Sequence, residues 1–231
     1  MAFILNIDTA TEYAGVCICD DGQILAKEES TEQKNHASFV QSAIKKLLSE
    51  LSLKPYSIAA IAVTQGPGSY TGLRVGMASA KGLCYALKKP LILINTLEVM
   101  ALAAIEDAKN KGTDISQLLF APMIDARRQE VFTALYDNEL QNIVAPFALV
   151  LDEYSFATEL TKQPIMFSGT GSNKLKDLIR HENAIFSNTT HQIAQLAHLS
   201  AKAFIQNKFS DLAYSEPFYL KEFFDTSKRK I

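Results

Sequence analysis

The sequence predicts an α/β protein in which mixed sheets are flanked by helices and which is divided into two units. Three observations predict it. Three strands in meander order open the chain, a helix-strand-helix-strand series follows up to residue 94, and the composition shifts to a second, smaller set of strands after about residue 104. Antiparallel strands followed by strands that alternate with helices are typical of a mixed sheet with helices packed against it.

The elements of the first unit follow from the spacing of apolar residues. Asp20-Asp21-Gly22 is a turn signal between two of the opening strands. Apolar side chains in residues 36–51 recur at spacings of 4, 3 and 4, which indicates an amphipathic helix. Residues 58–64 are apolar on both faces, as in a buried parallel strand. The predicted strands are 3–7, 15–19, 23–28, 58–64 and 91–94, and the predicted helices are 36–51, 73–87 and 97–109.

The second unit has fewer and shorter elements. We expect strands at residues 119–124 and 131–136 joined by a polar hairpin, a short strand at residues 165–167, and a helix at residues 190–206. We place the units at residues 1–104 and 105–210. No long linker or low-complexity stretch separates them, so they are expected to pack closely.

Composition disfavours several classes of function. The 231-residue chain has a net charge of −2 and no basic run of five residues, so it is not expected to bind nucleic acid alone, although it can add to an RNA site built mainly by a partner. No apolar stretch approaches the ~18 residues that span a bilayer, and no signal peptide is recognised. Three cysteines cannot pair completely. We therefore expect a cytoplasmic protein with small, buried, reduced cysteines at positions 17, 19 and 84.

The segment GPGSYTGLRVG, residues 66–76, contains four of the ten glycines. It fits neither the Walker A spacing nor the dinucleotide-binding spacing. The hydroxyls of Ser69 and Thr71, with the start of the following helix, would suit an anion. Alternatively, the glycines permit a tight strand-to-helix turn with close packing. The residues alone leave both interpretations open.

The helix after this segment has two apolar stripes instead of the usual one. The charged residues Arg74, Lys81 and Lys88 lie seven apart on one narrow strip. One apolar stripe is expected to pack on the helix's own sheet. The other, mostly small, is expected to pack on another helix, of this chain or of a second one. The small stripe comprises Gly72, Gly76, Ser79 and Leu83.

Other polar residues have two interpretations each. Asp8, followed by Thr9, could hold a magnesium–phosphate group through water, or could form an Asx turn. Asp125 and Arg127 could be catalytic, or could close a hairpin with a salt bridge. The four histidines lack metal-ligand spacing, so we assign no metal site and expect surface or capping roles. They are His36, His181, His191 and His198.

Four segments together resemble one family. They are ILNIDTAT at residues 4–11, GPGSYTGLRVG at 66–76, DARRQEVF at 125–132 and EPFYLK at 216–221. These segments, spread along the whole chain, resemble the TsaB (YeaZ) family, the bacterial partner proteins for the synthesis of threonylcarbamoyladenosine in tRNA. The resemblance implies the two-lobed actin-like ATPase and sugar kinase fold, which is ribonuclease H-like, with residues 211–231 returning to the first lobe.

The resemblance also implies what the chain does. It implies a non-catalytic subunit, without catalytic residues, that binds and activates the larger catalytic paralogue TsaD together with the ATPase TsaE. It implies a homodimer when the paralogue is absent, contact with tRNA only through the complex, no cofactor required by this chain, and ATP with magnesium at most at the complex interface. Alternatives are a stand-alone ATPase or kinase, or a glycopeptidase-like enzyme, of the same fold.

The residues assigned on this basis form two sets. The implied partner or dimer interface comprises Phe39, Ala43, Gly72, Val75, Gly76, Ser79 and Leu83. The possible nucleotide-binding residues are Asp8, Thr9, Gly66, Gly68, Ser69 and Thr71.

Overall fold

The computed structural model describes residues 1–31 and 36–221. The first unit contains a five-stranded mixed sheet with the strand order β3-β2-β1-β4-β5. The first three strands are antiparallel neighbours, and β4 and β5 are added in parallel beside β1. The strands are β1 (Phe3–Asp8), β2 (Ala14–Asp20), β3 (Gln23–Ser30), β4 (Ala60–Gly66) and β5 (Leu91–Asn95).

Helices cover both faces of this sheet. On one face lie α1 (His36–Glu50) and α2 (Tyr70–Leu87), whose apolar residues share one core with β1, β2 and β4. On the other face lie α3 (Thr96–Asn110) and α6 (Ile193–Ile205), which share a second core with the same sheet. The continuous apolar character of β4 follows from this burial on both faces.

The second sheet repeats the topology of the first. Its strand order is β10-β9-β6-β7-β8, with three antiparallel strands followed by two parallel ones. The strands are β6 (Leu119–Asp125), β7 (Glu130–Tyr136), β8 (Asn142–Val150), β9 (Ile165–Ser168) and β10 (Ala184–Phe186), and the connecting helices are the short α4 (Ala157–Leu160) and α5 (Ser172–Leu178). The predicted mixed sheets flanked by helices are confirmed.

The chain returns to the first sheet earlier than the predicted boundary at residue 210. Helix α6 packs its apolar face, including Ile193 and Leu196, against the first sheet. The chain then continues along the first unit, where the Ser210 amide donates to the Leu91 carbonyl and the Phe218 amide donates to the Gln65 carbonyl. Helix α6 therefore belongs with the first unit by packing. Residues 222–231 of the predicted return lie outside the described residues.

The three cysteines are buried and free, as the sequence predicts. Burial raises the pKa of Cys17 and Cys19. Both therefore stay protonated and pack as small apolar side chains. In the described part of the chain, none of the helices has the length and apolar character needed to cross a membrane.

Candidate functional site

Asp8 is a fully buried carboxylate at the carboxyl end of β1. Its Oδ1 accepts hydrogen bonds from the Ala10 amide at 3.0 Å and from the Thr64 hydroxyl at 2.8 Å. Its Oδ2 lies 3.0 Å from Nε2 of His191, which precedes α6. The predicted Asx turn is therefore present, and both carboxylate oxygens are engaged by the chain itself.

The electrostatics of Asp8 are set by two opposing effects. Burial raises its pKa, but the hydrogen bond and charge of His191, with the Ala10 amide and the Thr64 hydroxyl, outweigh burial. The pKa of Asp8 is therefore held below its usual value of 3.8. An ionised carboxylate in the protein interior requires this kind of compensation.

Tyr13 holds His191 and the start of α6 against the first sheet. Its ring lies edge-on to His191, with ring centroids 5.5 Å apart. Its hydroxyl donates to Glu29 Oε1 at 2.7 Å and accepts the Ile193 amide at 2.7 Å. Burial, reinforced by the Glu29 carboxylate, raises the pKa of Tyr13, so the phenol stays protonated. Two elements distant in sequence are thus fixed around Asp8.

The glycine segment packs directly on the turn that follows Asp8. A Cβ at Gly68 would lie 2.1 Å from the Ala10 carbonyl oxygen, and a Cβ at Gly72 would lie 2.0 Å from the Thr9 carbonyl oxygen. The Thr9 hydroxyl donates to the Gly72 carbonyl at 2.7 Å. The Ser69 amide donates to the Ala10 carbonyl at 2.7 Å. These glycines therefore allow two backbone segments to approach within hydrogen-bonding distance.

The predicted nucleotide-binding residues come together around this turn, but most are engaged by the chain itself. The Ser69 hydroxyl accepts the Gly72 amide at 3.3 Å and caps α2. Gly66 has a φ of +117°, and a Cβ there would lie 2.5 Å from the Phe218 carbonyl oxygen. Only Thr71 of the set is exposed. Nucleotide binding stays a prediction.

Helices α1 and α2 lie side by side, with Gln41 Nε2 donating to Ser79 Oγ at 3.3 Å. The small stripe predicted on α2 is divided between two buried glycines and two half-buried side chains, Ser79 and Leu83. Gly72 and Gly76 are buried on the inward side of α2, and a Cβ at Gly76 would lie 2.5 Å from Thr9 Oγ1. Both glycines therefore pack inside this chain, against the turn after β1 and the strands beside it, and their place in the predicted interface stays a prediction. Ala43 of the predicted interface is also buried, whereas Phe39, Val75, Ser79 and Leu83 are half-buried.

The charged strip on α2 holds the C-terminal segment of the described chain. Arg74 Nε donates to the Tyr219 hydroxyl at 3.1 Å, and its guanidinium lies 4.0 Å from the Tyr70 ring centroid. Lys81 Nζ donates to the carbonyl oxygen of Ser215 at 2.8 Å. Arg74 and Lys81 of the strip thus form an intramolecular clamp, whereas Lys88 is exposed at the end of α2.

The predicted hairpin between β6 and β7 is present, but its salt bridge differs from the prediction. Asp125 Oδ1 lies 2.6 Å from Lys174 Nζ and accepts the backbone amide of Arg127 at 2.7 Å. Although partial burial raises the pKa of Asp125, Lys174 and the Arg127 amide lower it below the usual 3.8. Arg127 and Arg128 are exposed and have φ angles of +70° and +48°, a conformation that costs about 1–2 kcal/mol per non-glycine residue.

Two of the four histidines have the predicted surface or capping role, and the other two are buried. His198 is exposed, and His181 Nδ1 accepts the Asn183 amide at 3.1 Å, as expected for surface and capping residues. His36 and His191 are buried, so the surface prediction was wrong for both. Among the residues that the structure describes, no group of three or more His, Cys, Asp or Glu side chains is arranged to hold a metal ion.

Sequence reasoning missed three side chains of this region. His191 and Thr64 complete the surroundings of Asp8, and Lys174 pairs with Asp125. His191 is 183 residues from Asp8, and no local pattern connects them. Lys174 lies on α5, just after the glycine turn at residues 169–171, and reaches Asp125 at the end of β6. Predicting this contact would require recognising that the second sheet repeats the topology of the first.

Comparison with known proteins identifies relatives along most of the chain. Residues 23–226 match the family model described as TsaD: tRNA N6-adenosine threonylcarbamoyltransferase. The Bacillus subtilis tRNA threonylcarbamoyladenosine biosynthesis protein TsaB is 30% identical over 179 residues, covering 76% of this chain and 74% of that protein. Its Escherichia coli namesake is 34% identical over 140 residues, covering 61% and 57%. The solved structure of YeaZ from Pseudomonas aeruginosa, at 24% identity, covers 95% of this chain and 100% of its own with a TM-score of 0.77, which shows a shared fold.

Proposed function

Because the chain belongs to the TsaB (YeaZ) family of tRNA threonylcarbamoyladenosine biosynthesis proteins, with its actin-like ATPase fold, we propose that it is a non-catalytic partner subunit in forming this modification. In this proposal it binds the catalytic paralogue TsaD in the cytoplasm and holds it in an active form, and TsaE joins the pair. The chain pairs with itself when the paralogue is absent.

The observation that carries the non-catalytic role is the closed state of Asp8. A carboxylate that positions magnesium and phosphate must present oxygen atoms to them. Here Thr64, Ala10 and His191 take both oxygens, and the carboxylate is fully buried. The glycine segment, which would have to cradle the phosphate, is filled by the Thr9 and Ala10 carbonyls. These contacts favour a structural role for both features.

The outer face of α2 supports docking. Val75, Ser79, Gly82 and Ala86 follow at spacings of 4, 3 and 4, so they share one face of the helix. Gly82 and Ala86 are exposed, Val75 and Ser79 are half-buried, and a Cβ at Gly82 would meet nothing within 4 Å. A face of small side chains allows another helix to approach closely. We therefore move the proposed contact from the buried Gly76 to this face.

Reconstitution tests the proposed role. TsaD, TsaE, the enzyme that makes threonylcarbamoyl-adenylate, tRNA, threonine, bicarbonate and ATP are combined with and without this chain, and modified adenosine is quantified by mass spectrometry. We expect modification to require the chain, and the chain alone to hydrolyse no ATP. Equal modification without the chain would reject the partner role. ATP turnover by the pure chain would favour the enzyme alternative.

A substitution at Gly82 tests the docking face. Gly82→Leu enters open space and replaces a poor helix former, so the monomer should stay folded. A bulky side chain between two close helices should weaken binding to TsaD by roughly tenfold or more. The control is His198→Leu, an exposed position on α6 across the first sheet. Normal binding by folded Gly82→Leu would exclude this face.

A further inference from the structure

The hairpin between β6 and β7 has an unusual pair of residues at its tip. Arg127 and Arg128 are consecutive non-glycine residues with positive φ, and no other such pair occurs in residues 1–31 and 36–221. The chain builds the hairpin between β2 and β3 with Asp21 and Gly22 at φ +49° and +78°, residue types that favour this conformation. Two arginines in this backbone conformation indicate that their side chains serve a purpose other than turn formation.

The base of this hairpin is held rigidly, and its acidic groups are neutralised from within. Lys174 Nζ pairs with Asp125 and donates to the Glu130 carbonyl at 3.2 Å. Lys221 Nζ lies 2.6 Å from Glu130 Oε1. The Asp125 amide donates to the Thr170 hydroxyl at 3.1 Å. Both carboxylates of the hairpin are therefore paired with lysines and do not offset the arginines.

The arginine side chains at the tip are exposed, and neither has a hydrogen bond or ion pair to another described residue. Both guanidinium groups are therefore open to a ligand.

We propose that the tip of the β6–β7 hairpin, through Arg127 and Arg128, binds phosphate groups of an RNA backbone. This inference rests on the proposed function, in which the modified adenosine is part of a tRNA. Each guanidinium offers five N–H donors in a planar fork that matches phosphate. A backbone of successive phosphates offers adjacent anions to two adjacent arginines, and a rigid tip loses little conformational freedom on binding. The overall charge of −2 is compatible with this, because the contact is local and the partner subunit supplies the rest of the RNA site.

The test measures tRNA binding to the assembled complex. The variant Arg127→Asn with Arg128→Gly removes two charges and installs residues that prefer left-handed backbone, so folding is preserved. The control, Lys88→Gly with Lys89→Asn, removes two adjacent charges at the end of α2, where Lys88 also has a positive φ of 54°. We expect the hairpin variant to bind tRNA roughly tenfold more weakly at 0.1 M salt. The negative slope of log affinity against log salt should become less steep by about 1.5–2. The control should change neither.

The outcomes separate this inference from the proposed function. Unchanged tRNA affinity and salt slope in a hairpin variant that assembles normally would overturn the inference and leave the partner role intact. Loss of assembly with the protein partner would also overturn it, since the arginines would then contact acidic protein. A wild-type chain that neither binds nor activates the paralogue would instead reject the proposed function. Restored affinity in Arg127→Lys with Arg128→Lys would support a phosphate contact made through charge.

Discussion

Replacing His191 with leucine should destabilise the protein strongly, because it leaves the Asp8 carboxylate buried without the hydrogen-bond partner of its Oδ2. His191 Nε2 lies 3.0 Å from Asp8 Oδ2, and Asp8 is 0% exposed. Leucine has a similar volume but offers no donor. The hydrogen bonds from Ala10 and Thr64 to Oδ1 stay in place, while Oδ2 loses its partner.

The magnitude follows from the burial of the pair. Leaving a buried charge without its partner costs about 3–5 kcal/mol. For a chain of this size each kcal/mol lowers Tm by about 2–4 °C, so His191→Leu should lose roughly 6–20 °C. Asp8→Asn replaces the charge with a neutral group that still accepts from Ala10 and Thr64, and should cost only about 1–3 kcal/mol. Asp8→Asn combined with His191→Leu should cost less than the sum of the two.

Urea unfolding at pH 7, followed by circular dichroism, measures all three variants. A cost below about 1 kcal/mol for His191→Leu, or additive costs in the double variant, would refute the buried-pair reasoning. The pH dependence gives a second check. The Asp8 pKa is held below 3.8 in the folded protein, so the stability it contributes is present above that value and is lost as the pH falls toward the folded pKa. The difference between wild type and His191→Leu should therefore narrow toward acidic pH. A constant difference from pH 7 to pH 3 would contradict this assignment.

Two further predictions concern α2. Gly76→Ala should lower the free energy of unfolding in urea by about 1–3 kcal/mol, because its Cβ would lie 2.5 Å from Thr9 Oγ1. Gly82→Ala, where the Cβ meets open space, should raise it by about 0.5–1 kcal/mol. An unchanged free energy of unfolding in Gly76→Ala would contradict the close approach. Lys81→Met should release the segment at residues 211–221, raising its amide exchange about tenfold without changing the core, since a charge-assisted hydrogen bond contributes about 1.5 kcal/mol. Lys88→Met on the same strip is the control, and equal exchange in both variants would argue against the clamp.

The first unit could be predicted almost completely from its sequence, because its elements are long and strongly patterned. Helix α1 and strand β4 show clear periodicity or continuous apolar character, and each is present with ends that differ by a few residues. Strand β8 was missed. It is an edge strand that pairs only with β7, all nine of its residues are exposed or half-buried, and Pro146 in its middle is atypical of a central strand. Local patterns are weak where an element is paired on one side only.

The candidate site was predictable only in its local part. The Asx turn at Asp8 depends on neighbouring residues and was one of the two interpretations that the sequence offered. The purpose of the glycines could not be decided from the sequence, because it depends on the Thr9 and Ala10 carbonyls, more than fifty residues away along the chain. His191 reaches Asp8 only because α6 crosses back to the first sheet. Contacts between distant segments set the chemistry of the site.

The repeated topology shows that the two aspartates occupy equivalent positions. Each ends the first strand of its sheet, and each accepts the backbone amide two residues further on, Ala10 in one lobe and Arg127 in the other. Each is also paired with a side chain supplied by its own chain, since His191 engages Asp8 and Lys174 engages Asp125. A carboxylate that holds magnesium and phosphate must present oxygen atoms to them. Engagement of both oxygens of Asp8 and of Oδ1 of Asp125 by the chain itself supports the proposed role as a partner subunit, and a substitution at only one turn should not create turnover.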